Sequence, residues 1–335
     1  MQPLRILLCI RTDLTSWWTL NSLLPHMSGH TLAIAQYPTT TERPNGLEEV
    51  AGLPEVDDAL TALWLDDALP NEVLFPTLAE LPTAPGAMAG PAHLASRHGA
   101  ALRTVADLNT GPDLDWARAF APDVLISLRF GQILRSAVID LPPLGCFNAH
   151  SGDLPHYAGL FCPVRAVLAG ERKLGCTLHR IDTGIDTGPV VARGYTPIDP
   201  TRSLAEHYAR VYALAVPMIC DLIATLVTRC DATGQPQDTA SRQYGSQLTI
   251  EEITALHNAG MALTHPRDFS HYLLPFLPGP IGAGIPALAT ELVARWHAFA
   301  DTLPHRARTL LQSCLHPDSL ALYAAGEARA RSPIG

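Results

Sequence analysis

Apolar residues along this chain come in short runs separated by polar turns. The first run, residues 4–10 (LRILLCI), has the length of a buried strand. Residues 15–27 (TSWWTLNSLLPHM) follow at helical spacing, and Pro25 is expected to end that helix early, because proline carries no amide hydrogen and crowds the preceding turn. A second strand-like run at 31–37 (TLAIAQY) completes a strand, helix, strand opening, the rhythm that builds a parallel sheet. The pattern weakens from about 38 to 97, read as an irregular excursion with one or two short helices, in which the acidic positions around Asp57, Asp58, Asp66 and Asp67 form a solvated face. It resumes with runs at 100–108, 116–122 and 123–128. A loop entering a short helix is expected over 129–139 and a further strand over 144–150.

Downstream, residues 159–170 read as a helix stopped by Gly170, with Pro163 in the first turn where it is tolerated. The runs at 174–181 and 189–198 alternate like antiparallel strands joined by the loop DTGIDTG. Residues 203–229 are strongly helical, with Ser203 as N-cap, Glu206 three residues later, and Pro217 expected to kink or split the helix. The polar stretch 231–247 lacks periodicity and reads as a linker. Beyond it Thr249 caps a helix, and long amphipathic segments occupy 287–303 and 305–325. These signals give an α/β fold in three parts: a catalytic domain at 1–230 built on a mostly parallel, twisted sheet flanked by helices, a linker at 231–247, and a smaller, mainly helical domain or arm at 248–335.

Composition narrows the class. With 335 residues, 47% of them hydrophobic and 16% charged, the chain has the profile of a globular protein able to bury a large core. The net charge of −9 argues against a general nucleic-acid binder, which needs clustered cations to displace phosphate counterions. Seven cysteines occur without a C-x-x-C pair, so neither a zinc site nor a disulfide framework follows, and the spacing of His257, His265 and His271 fits no helical metal pair. The opening apolar run is too short for a signal peptide or a membrane span. The expectation is a cytoplasmic protein with no membrane partner and no metal.

Candidate chemistry is concentrated between Leu144 and Pro189. Asn148 and His150 lie two residues apart at the end of a strand-like run and so project to one side of it. Asp182 and Asp186 lie in the glycine-punctuated loop that follows His179. An amide that donates without titrating, a histidine able to act as cationic donor or base, and a carboxylate able to hold it charged suit attack by an amine on a carbonyl carbon. No Ser or Cys nucleophile is needed, since the amine itself attacks.

The segment 123–196 resembles the catalytic core of the 10-formyltetrahydrofolate-dependent formyltransferases. That family carries Asn-x-His at a strand end, then Leu-Pro and Tyr-x-Gly, then Gly-x-Thr-x-His and a loop ending Asp-x-Gly. Here these are Asn148 and His150, Leu154 and Pro155, Tyr157 and Gly159, Gly175, Thr177 and His179, and Asp186 with Gly188. The resemblance implies a Rossmann-like core, formyl transfer from 10-formyltetrahydrofolate as co-substrate, and catalysis by Asn148, His150 and Asp186. It places the folate against Arg129, Phe130, Gly131, Gln132, Ile133 and Leu134, with Ile139 and Leu141, and under the loop carrying Asp182 and Gly184. Two departures stand out: Ser151-Gly152-Asp153 where Pro-Ser-Leu is common, and Ala158 in place of a frequent Arg.

On the acceptor side the candidates are Trp17, His156 and Tyr157, with the alternative for Trp17 that its helical spacing puts it in the core. His179 is read as support for the Asp loop. The loop Arg11–Ser16 has no glycine and offers no phosphate cradle against a ribonucleotide, and an acidic chain with a helical tail does not suit tRNA. A small-molecule amine remains: an amino sugar, an amino acid or an intermediate of secondary metabolism. The alternatives carried are a 10-formyltetrahydrofolate hydrolase, a methionyl-tRNA formyltransferase-like enzyme and a non-catalytic folate-binding module. The C-terminal helices are expected to supply a homodimer surface or one wall of the acceptor pocket.

Overall fold

A computed structural model describes residues 2–38, 70–80 and 87–264, with the isolated positions 268, 274–276, 294–295 and 298. Strand β1 (Arg5–Arg11) is buried at every position from Ile6 to Ile10, as a strand covered on both faces must be. Then come α1 (Leu14–Leu23), β2 (Thr31–Tyr37), α2 (Phe75–Ala79), α3 (Pro91–Arg97), β3 (Ala101–Thr104), α4 (Gly111–Phe120), β4 (Val124–Leu128), α5 (Ser136–Ile139) and β5 (Cys146–His150). The chain continues through β6 (Ala158–Gly159), α6 (Cys162–Leu168), β7 (Lys173–Arg180), β8 (Val190–Pro197), α7 (Leu204–Arg229), β9 (Tyr244–Gly245) and α8 (Ile250–Asn258).

Seven strands form one sheet in the order β3-β2-β1-β4-β5-β7-β8, while β6 and β9 pair separately. Strands β3 to β5 run parallel, and β7 and β8 complete the edge as an antiparallel hairpin. Alternation along the strands sorts residues to two faces. Ile6, Leu8, Ile126 and Phe147 pack with α1 and α7 on one face. Leu7, Cys9, Leu125 and Cys146 pack with α4 and α5 on the other. The expected α/β architecture with a mostly parallel sheet is therefore present. The strand order reverses between β1 and β4, and at such a switch point the loops beyond the carboxyl ends diverge and leave a crevice.

Helix α7 has Ser203 as its N-cap, its hydroxyl accepting from the Glu206 amide at 3.1 Å. Of the kink or split expected at Pro217, the split does not occur: the helix runs unbroken over 26 residues. Pro217 lies on the exposed side, where water can reach the carbonyl deprived of an amide partner. Among the described residues α7 is the helix long and apolar enough to cross a membrane by length and composition, and here its apolar face packs on α1, β7 and β8. Helix α6 is shorter than the 159–170 expected. Gly159 pairs with Gly245 in a strand bridge, and Phe161 enters the helix with a left-handed φ of 54°.

The stretch 231–247, read from sequence as a linker, packs against the core. Gln235 exchanges backbone hydrogen bonds with Val190, and β9 pairs with β6. Thr249 caps α8 in a reciprocal capping box with Glu252. The helices expected over 287–303 and 305–325 and the acidic face near 57–67 lie, but for a few positions, outside the described residues.

Candidate active site

Three side chains meet because of strand register. Asn148 and His150 share the face of β5 opposite Phe147 and Ala149, and in the antiparallel pair with β7 Asn148 stands directly across from His179. The Arg180 carbonyl can only accept, so His179 donates to it from Nδ1 at 2.9 Å, which leaves Nε2 to accept from the Asn148 amide nitrogen at 3.2 Å. That bond fixes the Asn148 amide and leaves its second N–H turned to other partners.

Asp186 closes the group from the loop between β7 and β8. Its backbone is left-handed with φ 55°, a conformation costing a non-glycine residue roughly 1 kcal/mol, and neighbouring bonds hold it there. Asp186 Oδ2 accepts from the Gly159 amide at 2.8 Å. Gln237 donates to the carbonyls of Asp186 and Gly188 at 3.1 and 2.6 Å, and Arg242 to that of Ile185 at 2.8 Å. Asp186 Oδ1 is then 3.7 Å from His150 Nδ1 and 3.6 Å from His179 Nε2, ion-pair contacts longer than hydrogen bonds.

His150 is buried, with 7% of its surface exposed. Its Nε2 lies 2.8 Å from the Tyr157 carbonyl and 3.3 Å from Cys162 Sγ. Burial alone lowers the His150 pKa, but the Asp186 carboxylate outweighs it with help from Cys162, and the pKa is pushed up to about 9. Burial raises that of Asp186, yet the His150 charge and the Gly159 amide help bring it far below the usual carboxylate range. The result is a buried imidazolium and carboxylate at neutral pH. Sequence reasoning missed Cys162, whose contact depends on the 157–162 loop folding back over His150.

A cavity of about 570 Å³ opens in front of this group at the switch point. Its wall includes Arg129, Phe130, Gly131, Gln132, Ile133 and Leu134 from the loop after β4, and Ile181, Asp182, Gly184 and Ile185 from the Asp186 loop. Apolar side chains interleaved with main-chain groups suit a flat heteroaromatic ring. Gln132 is turned away: it accepts from the Leu108 amide at 2.9 Å and donates to the Ala106 carbonyl at 2.6 Å, bracing the loop. Asp182 likewise holds its own turn, accepting from the Gly184 amide at 3.0 Å and from Thr187 at 2.7 Å. Among the described residues no group of three or more His, Cys, Asp or Glu is arranged to hold a metal ion.

Several expected contacts are corrected. Ile139 and Leu141 are not in the cavity wall; they pack against the α4 and α5 side of the core. Trp17 is fully buried and meets Phe75 edge-on at 6.2 Å, because Leu14, Trp17 and Leu20 form the apolar stripe that α1 lays on the sheet. His156 and Tyr157 border a separate cavity of about 50 Å³ on the far side of the loop. Tyr157 reaches the site through its carbonyl, while its hydroxyl donates to Glu171 at 2.9 Å.

A crevice at the switch point with an Asn-His-Asp group on its wall can stabilise an oxyanion and move a proton while a nucleophile carried by a substrate attacks a carbonyl carbon. A family model described as formyl transferase matches residues 91–223. The methionyl-tRNA formyltransferase of Chromohalobacter salexigens is 31% identical over 234 residues, which are 68% of this chain and 69% of that one. The chain belongs to the formyltransferase family. The methionyl-tRNA formyltransferase of Halorhodospira halophila is 36% identical over 162 residues, so that this chain covers half of that relative's length. Among solved structures, the N-formyltransferase of Helicobacter canadensis, in complex with folinic acid and dTDP-3-aminofucose, aligns with a TM-score of 0.46 at 16% identity, over 77% of this chain and 80% of that one.

Proposed function

We propose that the protein transfers a formyl group from 10-formyltetrahydrofolate to the amine of a small molecule. The observation that carries this reading is the charged His150–Asp186 pair beside the Asn148 amide, at the wall of a cavity with room for a pterin. The folate ring lies against the loop 129–134 and under the loop 182–185. The acceptor amine attacks the formyl carbon, and the negative charge that develops on the formyl oxygen takes hydrogen bonds from the free N–H of Asn148 and the Nδ1–H of His150. Asp186 keeps His150 charged and receives the proton that the amine loses. As the bond from carbon to N10 breaks, that proton passes through His150 to N10, which leaves tetrahydrofolate and the formamide.

The relatives named as methionyl-tRNA formyltransferases favour a tRNA acceptor instead. Against that reading stands the net charge of −9, which disfavours a polyanionic partner. The test is release of tetrahydrofolate by the wild-type chain and by Asn148→Ala, His150→Ala and Asp186→Asn variants, with circular dichroism to check folding. Loss of about 10²-fold or more in kcat/KM is expected for each, the usual scale for oxyanion donors and proton-handling groups. Full activity in folded variants sinks the mechanism.

A further inference from the structure

The wall of the cavity changes character away from the folate loops. Helices α6 and α7 and the segment after β9 contribute Phe161, Val164, Leu204, Tyr208, Leu248 and Leu263, which belong to one apolar cluster continuing behind the surface. The polar features that would receive a phosphate are already taken. Arg129 donates to Asp13 at 2.7 Å, and its guanidinium lies over the rings of Tyr208 and Tyr212 at 5.6 and 5.4 Å. Arg11 lies 4.0 Å from the same carboxylate. The first turn of α1, the end of a helix where a phosphate binds, has its Ser16 amide held by Asp13 Oδ1 at 2.6 Å. A fully buried carboxylate of the chain itself thus engages Arg129 and the Ser16 amide, groups that could otherwise hold a phosphate.

From this we infer that the acceptor is a primary amine carried on an apolar or aromatic body, which packs against Phe161, Tyr208, Leu248 and Leu263 and presents its nitrogen to Asp186. The inference rests on the formyl-transfer reading above and names the substrate class of that site. Apolar surroundings favour the neutral amine over its ammonium form, and the neutral amine is the nucleophile the reaction needs. The nitrogen gains the formyl carbon and gives up one proton, which ends on N10 of tetrahydrofolate.

The experiment offers the full chain 10-formyltetrahydrofolate with phenethylamine and hexylamine in parallel with a nucleotide-linked amino sugar, glycinamide ribonucleotide and methionyl-tRNA. Transfer is read by tetrahydrofolate release and by the mass of the formylated product, and donor binding by calorimetry. The expected result is saturable transfer to the apolar amines with kcat/KM at least about tenfold above every phosphate-bearing acceptor, about 1.4 kcal/mol of discrimination. Leu248→Glu is expected to raise KM for phenethylamine about tenfold with donor binding unchanged, since it sets a charge against the apolar body. Preferred transfer to a phosphate-bearing acceptor overturns the inference, and so does donor binding without transfer to either apolar amine. Absence of both donor binding and transfer to any acceptor sinks the formyl-transfer reading, and this inference with it.

Discussion

Behind His150 the chain has room for one arrangement. A β-carbon at position 152 would meet His150 Nε2 at 2.8 Å and Cys162 Cβ at 2.9 Å, and would lie closer still to the Tyr157 carbonyl, so only glycine fits there. Gly152 and Cys162 therefore share one space, in which the Cys162 thiol lies against Nε2 where a larger residue at 152 would clash. Because Cys162 helps raise the His150 pKa, Cys162→Ala is expected to lower it. If the imidazolium is the working form, activity falls as pH rises through that pKa, so the alkaline limb of kcat/KM against pH moves to lower pH in Cys162→Ala. Cys162→Ser is expected to restore part of the shift. A packing defect alone lowers the whole profile without moving the limb. Asn148, His150 and Asp186 were legible in the sequence because residue type, strand spacing and a glycine-rich loop each pointed to them. Cys162 was not, because a lone cysteine at the start of a short helix resembles core. Trp17 misled for a related reason: its place just after β1 suggested a pocket, while the burial of α1 decided the outcome.

Among the elements, α7 separates what a sequence rule states from what packing decides. The 3.6-residue apolar period placed the helix at 203–229, and the structure has Leu204–Arg229. Proline's missing amide gave a warning at 217, but sequence alone does not say which side of the helix meets water. With Pro217 on the exposed side the helix survives and the lost hydrogen bond is the cost. Pro217→Ala is therefore expected to stabilise the protein by up to about 3 kcal/mol, the amount by which proline disfavours a helix interior relative to alanine. A higher melting temperature with unchanged tetrahydrofolate release is the result that agrees; a lower one shows that the ring is needed to pack α7. The strands were legible for a simpler reason. The centres of runs such as 4–10 and 123–128, residues 6–10 and 124–126, are buried on both faces and apolar throughout, whereas α6 lost its first residues to a strand bridge that only the distant Gly245 supplies.

For the molecule as a whole, the stretch 231–247 is part of the site. Polar, aperiodic sequence suggested a spacer between domains, since nothing local reveals that its hydrogen bonds are made with loops far away in the chain. Gln237 holds the carbonyls on either side of Thr187, Arg242 holds Ile185, and β9 pins β6 next to the Gly159 amide that binds Asp186. The left-handed backbone of Asp186 is thus set from three sides, two of them supplied by residues after 230. Gln237→Ala removes two hydrogen bonds at a half-buried position, which costs about 1–3 kcal/mol at roughly 0.5–1.5 kcal/mol each, little enough for the fold to survive. Its effect on rate is expected to be larger than its effect on folding, because the 3.7 Å geometry between Asp186 and His150 depends on where the loop sits. A displacement of about 1 Å in a reacting group can cost up to about 10²-fold, so a fall of tenfold or more in kcat/KM is expected, with donor binding reduced far less. Urea melts and tetrahydrofolate release on the same preparation separate the two effects. An unchanged rate in a variant with the expected small loss of stability shows that Gln237 does not position Asp186 and leaves that work to Gly159, Arg242 and β9.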